Sequence, residues 1–130
     1  MKKQRVIIVD DSVEIRQLVR SILEDDYDVE EADDGEQCIE MLTESCDYDL
    51  LILDIEMPGT NGWETLRVVS DEDNWPEIPV VMFTVLNEPE NALKAWHIGA
   101  SLYLTKPFTA AVLLETVQAA LSTEKVSHDG

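Results

Sequence analysis

Five short apolar runs, each followed by a segment of helical periodicity, restrict this chain to a narrow set of folds. The runs lie near 5 to 10, 28 to 32, 49 to 53, 78 to 83 and 101 to 105. Strands that alternate with amphipathic helices predict an α/β domain built on a parallel sheet. Val6-Ile7-Ile8-Val9, Leu50-Leu51-Ile52-Leu53 and Val80-Val81-Met82-Phe83 show no apolar–polar alternation, as expected of strands covered on both faces. Tyr27 to Ala32 is weaker and more acidic, which predicts an edge strand.

The helices carry their own punctuation. Ser12 is placed to cap the first, whose Ile15, Leu18, Val19, Ile22 and Leu23 recur at helical spacing. The second follows Asp34-Gly35 with Ile39 and Leu42 inward, and the third starts after Asn61-Gly62 with Leu66 and Val69. Pro76 and Pro79 bracket the entry to the fourth strand. The fourth helix is predicted from about Pro89 to Ile98, ending at Gly99, and the fifth runs from a Thr109 cap to about Ser122. Thr123 to Gly130 reads as a polar tail or the start of a linker, which makes residues 1–122 the domain.

A chain of 130 residues suffices for one core and leaves no room for a second. Nine Lys and Arg against 28 Asp and Glu give a formal charge of -19, which argues against direct contact with nucleic acid or an anionic membrane. Cys38 and Cys46, eight apart without a second pair or a suitably placed His, are expected to be reduced thiols rather than zinc ligands. The basic start, Met1 to Arg5, precedes an apolar run of only about four residues, too short for a signal peptide. No stretch approaches the roughly 20 apolar residues of a membrane span, so a cytoplasmic location is expected.

The chemistry sits where the apolar runs end. Asp10-Asp11, Asp54, Thr84 and Lys106-Pro107 each follow a run, and the carboxyl ends of parallel strands share one edge. Taken singly, Asp10-Asp11 reads as a helix cap and Lys106 as a surface charge; their joint placement points instead to a site. Three carboxylates about 5 Å apart repel by roughly 3 kcal/mol per ionised pair at an effective dielectric near 20. Such a cluster calls for a cation, and an all-oxygen donor set that keeps waters suits Mg²⁺. With Lys106 near Asp54 and a Thr84 hydroxyl, the set is suited to phosphoryl transfer onto a carboxylate.

Val9-Asp10-Asp11-Ser12, Leu53 to Gly59 with Gly62, Phe83-Thr84, and Gly99-Ala100 through Tyr103-Leu104-Thr105-Lys106-Pro107-Phe108 together resemble the response regulator receiver domain of two-component phosphorelay systems. The resemblance spans about residues 4 to 122. It implies a flavodoxin-like (βα)5 three-layer sandwich with strand order 2-1-3-4-5, and an aspartyl phosphate formed on Asp54 by a sensor histidine kinase or histidine phosphotransfer protein. It further implies direct Mg²⁺ ligation by Asp11 and Asp54, ligation through water by Asp10, and ligation by the main-chain carbonyl of Glu56. Lys106 would pair with the acyl phosphate, and its bond to Pro107 would be cis. Thr84 and Tyr103 would form the switch that alters binding to a downstream protein.

Three features bear on that reading. Val85 is bulkier than the family's usual small residue after the threonine and is expected to narrow access to Asp54. Glu56 adds an anion beside the metal site. Leu102, together with a fifth helix that has no Lys or Arg, argues against the salt-bridged dimer of many DNA-binding members. Trp96 and Leu102 are instead candidates for an apolar patch that a partner covers, on the face of helix four, strand five and helix five. Trp63 and Trp75 read as core and loop packing, and His97 as a surface residue at a helix end. A phosphohydrolase with Asp54 as nucleophile is the competing enzymatic function. It is disfavoured because Glu56 stands where such enzymes carry an acidic Asp and because there is no cap domain. A phosphate-independent scaffold is the third reading.

Overall fold

The computed structural model describes residues 3–45, 47–55, 57, 62–71, 78–84 and 89–122, apart from the side chains of Thr84, Pro89 and Asn91. Strands β1 (Gln4–Val9), β2 (Tyr27–Ala32), β3 (Leu50–Asp54), β4 (Val80–Thr84) and β5 (Leu102–Thr105) alternate with helices α1 (Val13–Leu23), α2 (Gly35–Glu44), α3 (Gly62–Val69), α4 (Pro89–Ile98) and α5 (Ala110–Ser122). All pairings are parallel, in the order β2-β1-β3-β4-β5. This is the flavodoxin-like architecture expected, with β2 at an edge.

Alternate residues of the central strands feed two cores. Ile7, Val9, Leu51, Leu53, Val80 and Met82 pack with Cys38 and Leu42 of α2, Leu66 and Val69 of α3, and Ala95 of α4. Val6, Ile8, Leu50, Ile52, Val81 and Phe83 pack with Val19 and Leu23 of α1 and with Leu113 and Val117 of α5. A strand that must fill both cores has no polar face, which explains the unbroken apolar runs.

The caps read at Ser12 and Thr109 form, and Asp34 adds one for α2, which begins at Gly35 rather than after it. The Ser12 hydroxyl accepts from the Ile15 amide at 3.2 Å, Asp34 from Gln37 at 2.8 Å, and Thr109 from Val112 at 3.1 Å. Gly99 closes α4 with φ 140, a conformation L side chains rarely adopt. One packing expectation needs correction. Leu18 has the helical spacing of its neighbours but is 45 % exposed, because the inward stripe of α1 runs through Val19 and Leu23. Cys38 is buried, and burial pushes its thiol up to about 12, as befits an inert core residue. Trp63 packs against the α2–α4 core and lies 4.4 Å beneath the Lys94 ammonium. Trp75, Pro76 and Cys46 lie outside the described residues.

Edge strand β2 carries acidic side chains on both faces, and arginines from other elements meet them. Arg5 bonds Glu30 at 2.6 Å and Asp47 at 2.5 Å and lies 4.2 Å over the Tyr48 ring. Tyr48 in turn donates to Glu30 at 2.8 Å. Burial alone would raise the Glu30 carboxyl, but the hydrogen bonds from Arg5 and Tyr48 outweigh it and hold it below the ordinary carboxylate range. Desolvation, and then the bond to Glu30, push the Tyr48 phenol from 10.0 to about 12. A raised pKa in the folded state stabilises fully below the unfolded value and is lost as pH climbs through the folded one. Stability is therefore expected to fall between pH 10 and 12 in step with tyrosinate absorbance, and Tyr48→Phe to remove that part of the slope. An unchanged slope in the variant would place the alkaline transition elsewhere.

Candidate functional site

The register carries residues distant in sequence to one edge. Val9 pairs with Leu53, Leu53 with Met82, Asp54 with Phe83, and Thr84 with Thr105, so Asp10, Asp54, Thr84 and Lys106 lie at adjacent strand ends. Asp10 follows β1 and donates its amide to the Ala32 carbonyl at 3.2 Å, across from β2. Its carboxylate is buried; Oδ1 accepts from the Ser12 amide at 2.9 Å and Oδ2 from Lys106 Nζ at 2.6 Å. Asp54, also buried, has Oδ2 3.6 Å from the same ammonium. Lys106 therefore bridges two carboxylates rather than serving Asp54 alone, and it binds Asp10 the more closely.

Asp10, Asp11 and Asp54 each offer one oxygen, and these oxygens lie within 4.8 Å of one another, with Asp11 exposed and the other two buried. Among the described residues no imidazole or thiolate joins this group, and an all-carboxylate set of this spacing fits a hard divalent cation that retains water. Phe83 stacks on Phe108 at 5.1 Å between centroids, and the Lys106 ammonium stands 5.5 Å from the Phe83 ring. The Lys106-Pro107 bond is cis, as the resemblance implied.

Gly62, quoted from the sequence only as part of the motif and of a helix start, and Arg16, not singled out there, also contribute. Gly62 opens α3 directly against the end of β3 and donates its amide to the Ile55 carbonyl at 3.1 Å. A Cβ there would lie 2.6 Å from the Ile55 carbonyl oxygen and 2.7 Å from its Cα, and would meet the Asp54 carbonyl as well. Arg16 of α1 donates to the main-chain carbonyl of Asp10 at 2.6 Å. Glycine at a helix start is a visible signal, though the close approach is not; the Arg16 contact has no local signal.

Glu56 and Val85 lie outside the described residues, as does the Thr84 side chain. Tyr103 is half-buried against the α2–α4 core. Trp96 and Leu93 of α4 are 65 % and 59 % exposed, while Leu102 is half-buried against the α1–α5 core. His97 is exposed in the last turn of α4, away from the acidic edge.

A five-stranded parallel sheet of this order, with acids and a lysine on its carboxyl edge, defines a flavodoxin-like protein that works at the ends of its strands. The model of the response regulator receiver domain matches residues 6–118. Chemotaxis protein CheY-3 of Vibrio cholerae is 34% identical over 116 residues, 88% of this chain and 88% of its own length. Transcriptional regulatory protein ResD of Bacillus subtilis is 34% identical over 118 residues, 90% of this chain and 48% of its own length. The chain thus spans most of the chemotaxis protein and about half of the transcriptional regulator. Among solved structures, Vibrio cholerae CheY4 superposes with a TM-score of 0.85 at 34% identity, over 92% of this chain and 100% of that one. The receiver domain of NtrX from Brucella abortus gives 0.83 at 32%, over 92% and 99%. This chain belongs to the response regulator receiver domain family of two-component systems.

Proposed function

We propose that Asp54 is the phosphoacceptor and that residues 1–122 form the receiver domain, followed by a polar tail or linker at 123–130. The observation that carries this reading is the meeting of Asp10, Asp11 and Asp54 within 4.8 Å, with Lys106 bridging two of them. Asp11 and Asp54 would hold Mg²⁺ directly, Asp10 through water, and Glu56 through its main-chain carbonyl. Bound there, the ion would supply positive charge to neutralise the phosphoryl oxygens. A carboxylate oxygen of Asp54 attacks phosphorus; the bond to the donor's nitrogen or oxygen breaks, and the electron pair leaves with the donor. Lys106, already 3.6 Å from Asp54, then pairs with the acyl phosphate. Thr84 approaches the phosphoryl group and Tyr103 turns further inward, a population shift driven by contacts that only the phosphorylated state offers.

The phosphoryl donor is a sensor histidine kinase or a histidine phosphotransfer protein. The output is a change in affinity for a downstream protein, with the exposed Trp96 of α4 and the half-buried Leu102 of β5 as contacts. The chain acts in the cytoplasm and is a switch rather than a turnover enzyme; no described helix is long and apolar enough to cross a membrane. Intact mass after incubation with acetyl phosphate tests this. A Mg²⁺-dependent adduct of one phosphate, absent from Asp54→Asn, is the expected result. A folded protein that gains no phosphate from either acetyl phosphate or a kinase would leave a phosphate-independent scaffold. Val85 is expected to slow small donors, so Val85→Ala should gain the adduct faster than the parent chain.

A further inference from the structure

Asp10 is held at four places. Its amide is tied to Ala32, its carboxylate to the Ser12 amide and to Lys106, and its carbonyl to Arg16. The last of these belongs to a chain of contacts that crosses to the edge strand. Arg16 Nη1 donates to the Asp10 carbonyl at 2.6 Å while Nε donates to Glu31 Oε1 at 3.0 Å. Glu31 Oε2 takes a second arginine, Arg20 Nε, at 2.8 Å. The side chain of Arg16 is only 12 % exposed, against 40 % for Arg20.

We infer that Arg16 is a positioning residue for the acidic site: anchored by Glu31, it pins the Asp10 carbonyl outward and so turns the carboxylates of Asp10 and Asp11 toward Asp54. This inference rests on the metal-site reading above. An arginine suits this place because two separate nitrogens of one planar fork, Nη1 and Nε, reach the two acceptors, whereas a lysine's single nitrogen would have to stand within reach of both at once. The effect of Arg16 is geometric rather than electrostatic. Its charge is met by Glu31, and an unmet cation this close would oppose a metal ion rather than favour it. Groups that orient ligands from behind typically change metal affinity by roughly 10- to 100-fold.

Arg20 provides the control, because it shares Glu31 but does not touch Asp10. The experiment is a Mg²⁺ titration followed by the amide NMR shifts of Asp10, Asp11 and Ser12 in the parent chain, Arg16→Met, Arg16→Lys and Arg20→Met. Arg16→Met and Arg16→Lys are expected to weaken Mg²⁺ binding about tenfold, and Arg20→Met by less than about twofold. Glu31→Gln should shift binding in the direction of the Arg16 variants but by less, and it serves as the readout should Arg16→Met not fold. Arg16 variants that bind like the parent overturn the inference, as does an Arg20→Met variant weakened equally, which would signal general loosening. A parent chain that binds no Mg²⁺ overturns the metal-site reading and this inference with it.

Discussion

Asp54→Asn is expected to abolish the phosphate adduct and at the same time to make the Mg²⁺-free domain more stable. Without the ion, Asp10, Asp11 and Asp54 carry three negative charges against the one positive charge of Lys106, with the ligand oxygens within 4.8 Å. At about 5 Å and an effective dielectric near 20, each like-charged pair costs roughly 3 kcal/mol, and Lys106 offsets part of this. Removing one carboxylate charge while keeping its shape should leave a net gain of about 1 kcal/mol. If Mg²⁺ binds only the folded state, it is expected to stabilise the parent chain and to stabilise the variant less. Urea unfolding with and without Mg²⁺ measures both effects. A variant less stable than the parent without Mg²⁺ would mean that the contact of Asp54 with Lys106 outweighs the repulsion among the acids.

The second large effect is expected at Gly62→Ala, a change of one methyl group. The added Cβ would meet the carbonyl of Asp54 and the carbonyl and Cα of Ile55, all main-chain atoms that no side-chain rotation can clear. Relief requires that α3 retreat or that the end of β3 shift, and overpacking of this kind costs up to about 3 kcal/mol. For a domain of this size that corresponds to a fall in melting temperature of about 10 °C. Because β3 carries Asp54, the surviving folded protein should also accept phosphate more slowly from acetyl phosphate. A melting temperature within about 2 °C of the parent would show that α3 can move without cost.

Periodicity and capping are local, and they were legible in the chain. The unbroken apolar runs of β1, β3 and β4 required two covered faces, and the structure supplies α1 and α5 on one and α2, α3 and α4 on the other. Ser12, Thr109 and Gly99 act on amides, carbonyls or a backbone angle within a few residues of themselves, so their roles follow from spacing alone. The acids and the lysine were legible for a related reason: each stands at the end of an apolar run, and parallel strands bring such ends together.

What the sequence by itself determined, then, was the order of elements, their caps and the residues gathered at one edge. Tertiary structure alone decided how those residues share partners. Lys106 sits closer to Asp10 than to Asp54, the amide and carbonyl of Asp10 are claimed by Ala32 and Arg16, and Glu30 and Glu31 of one edge strand bind arginines on opposite faces. Leu18 follows the periodicity of α1 and still faces water. The physical reason is the range of the forces involved. Backbone propensity and capping act over one turn of chain, whereas a hydrogen bond or a steric limit between separate elements depends on distances of a few ångströms that only the assembled sheet sets.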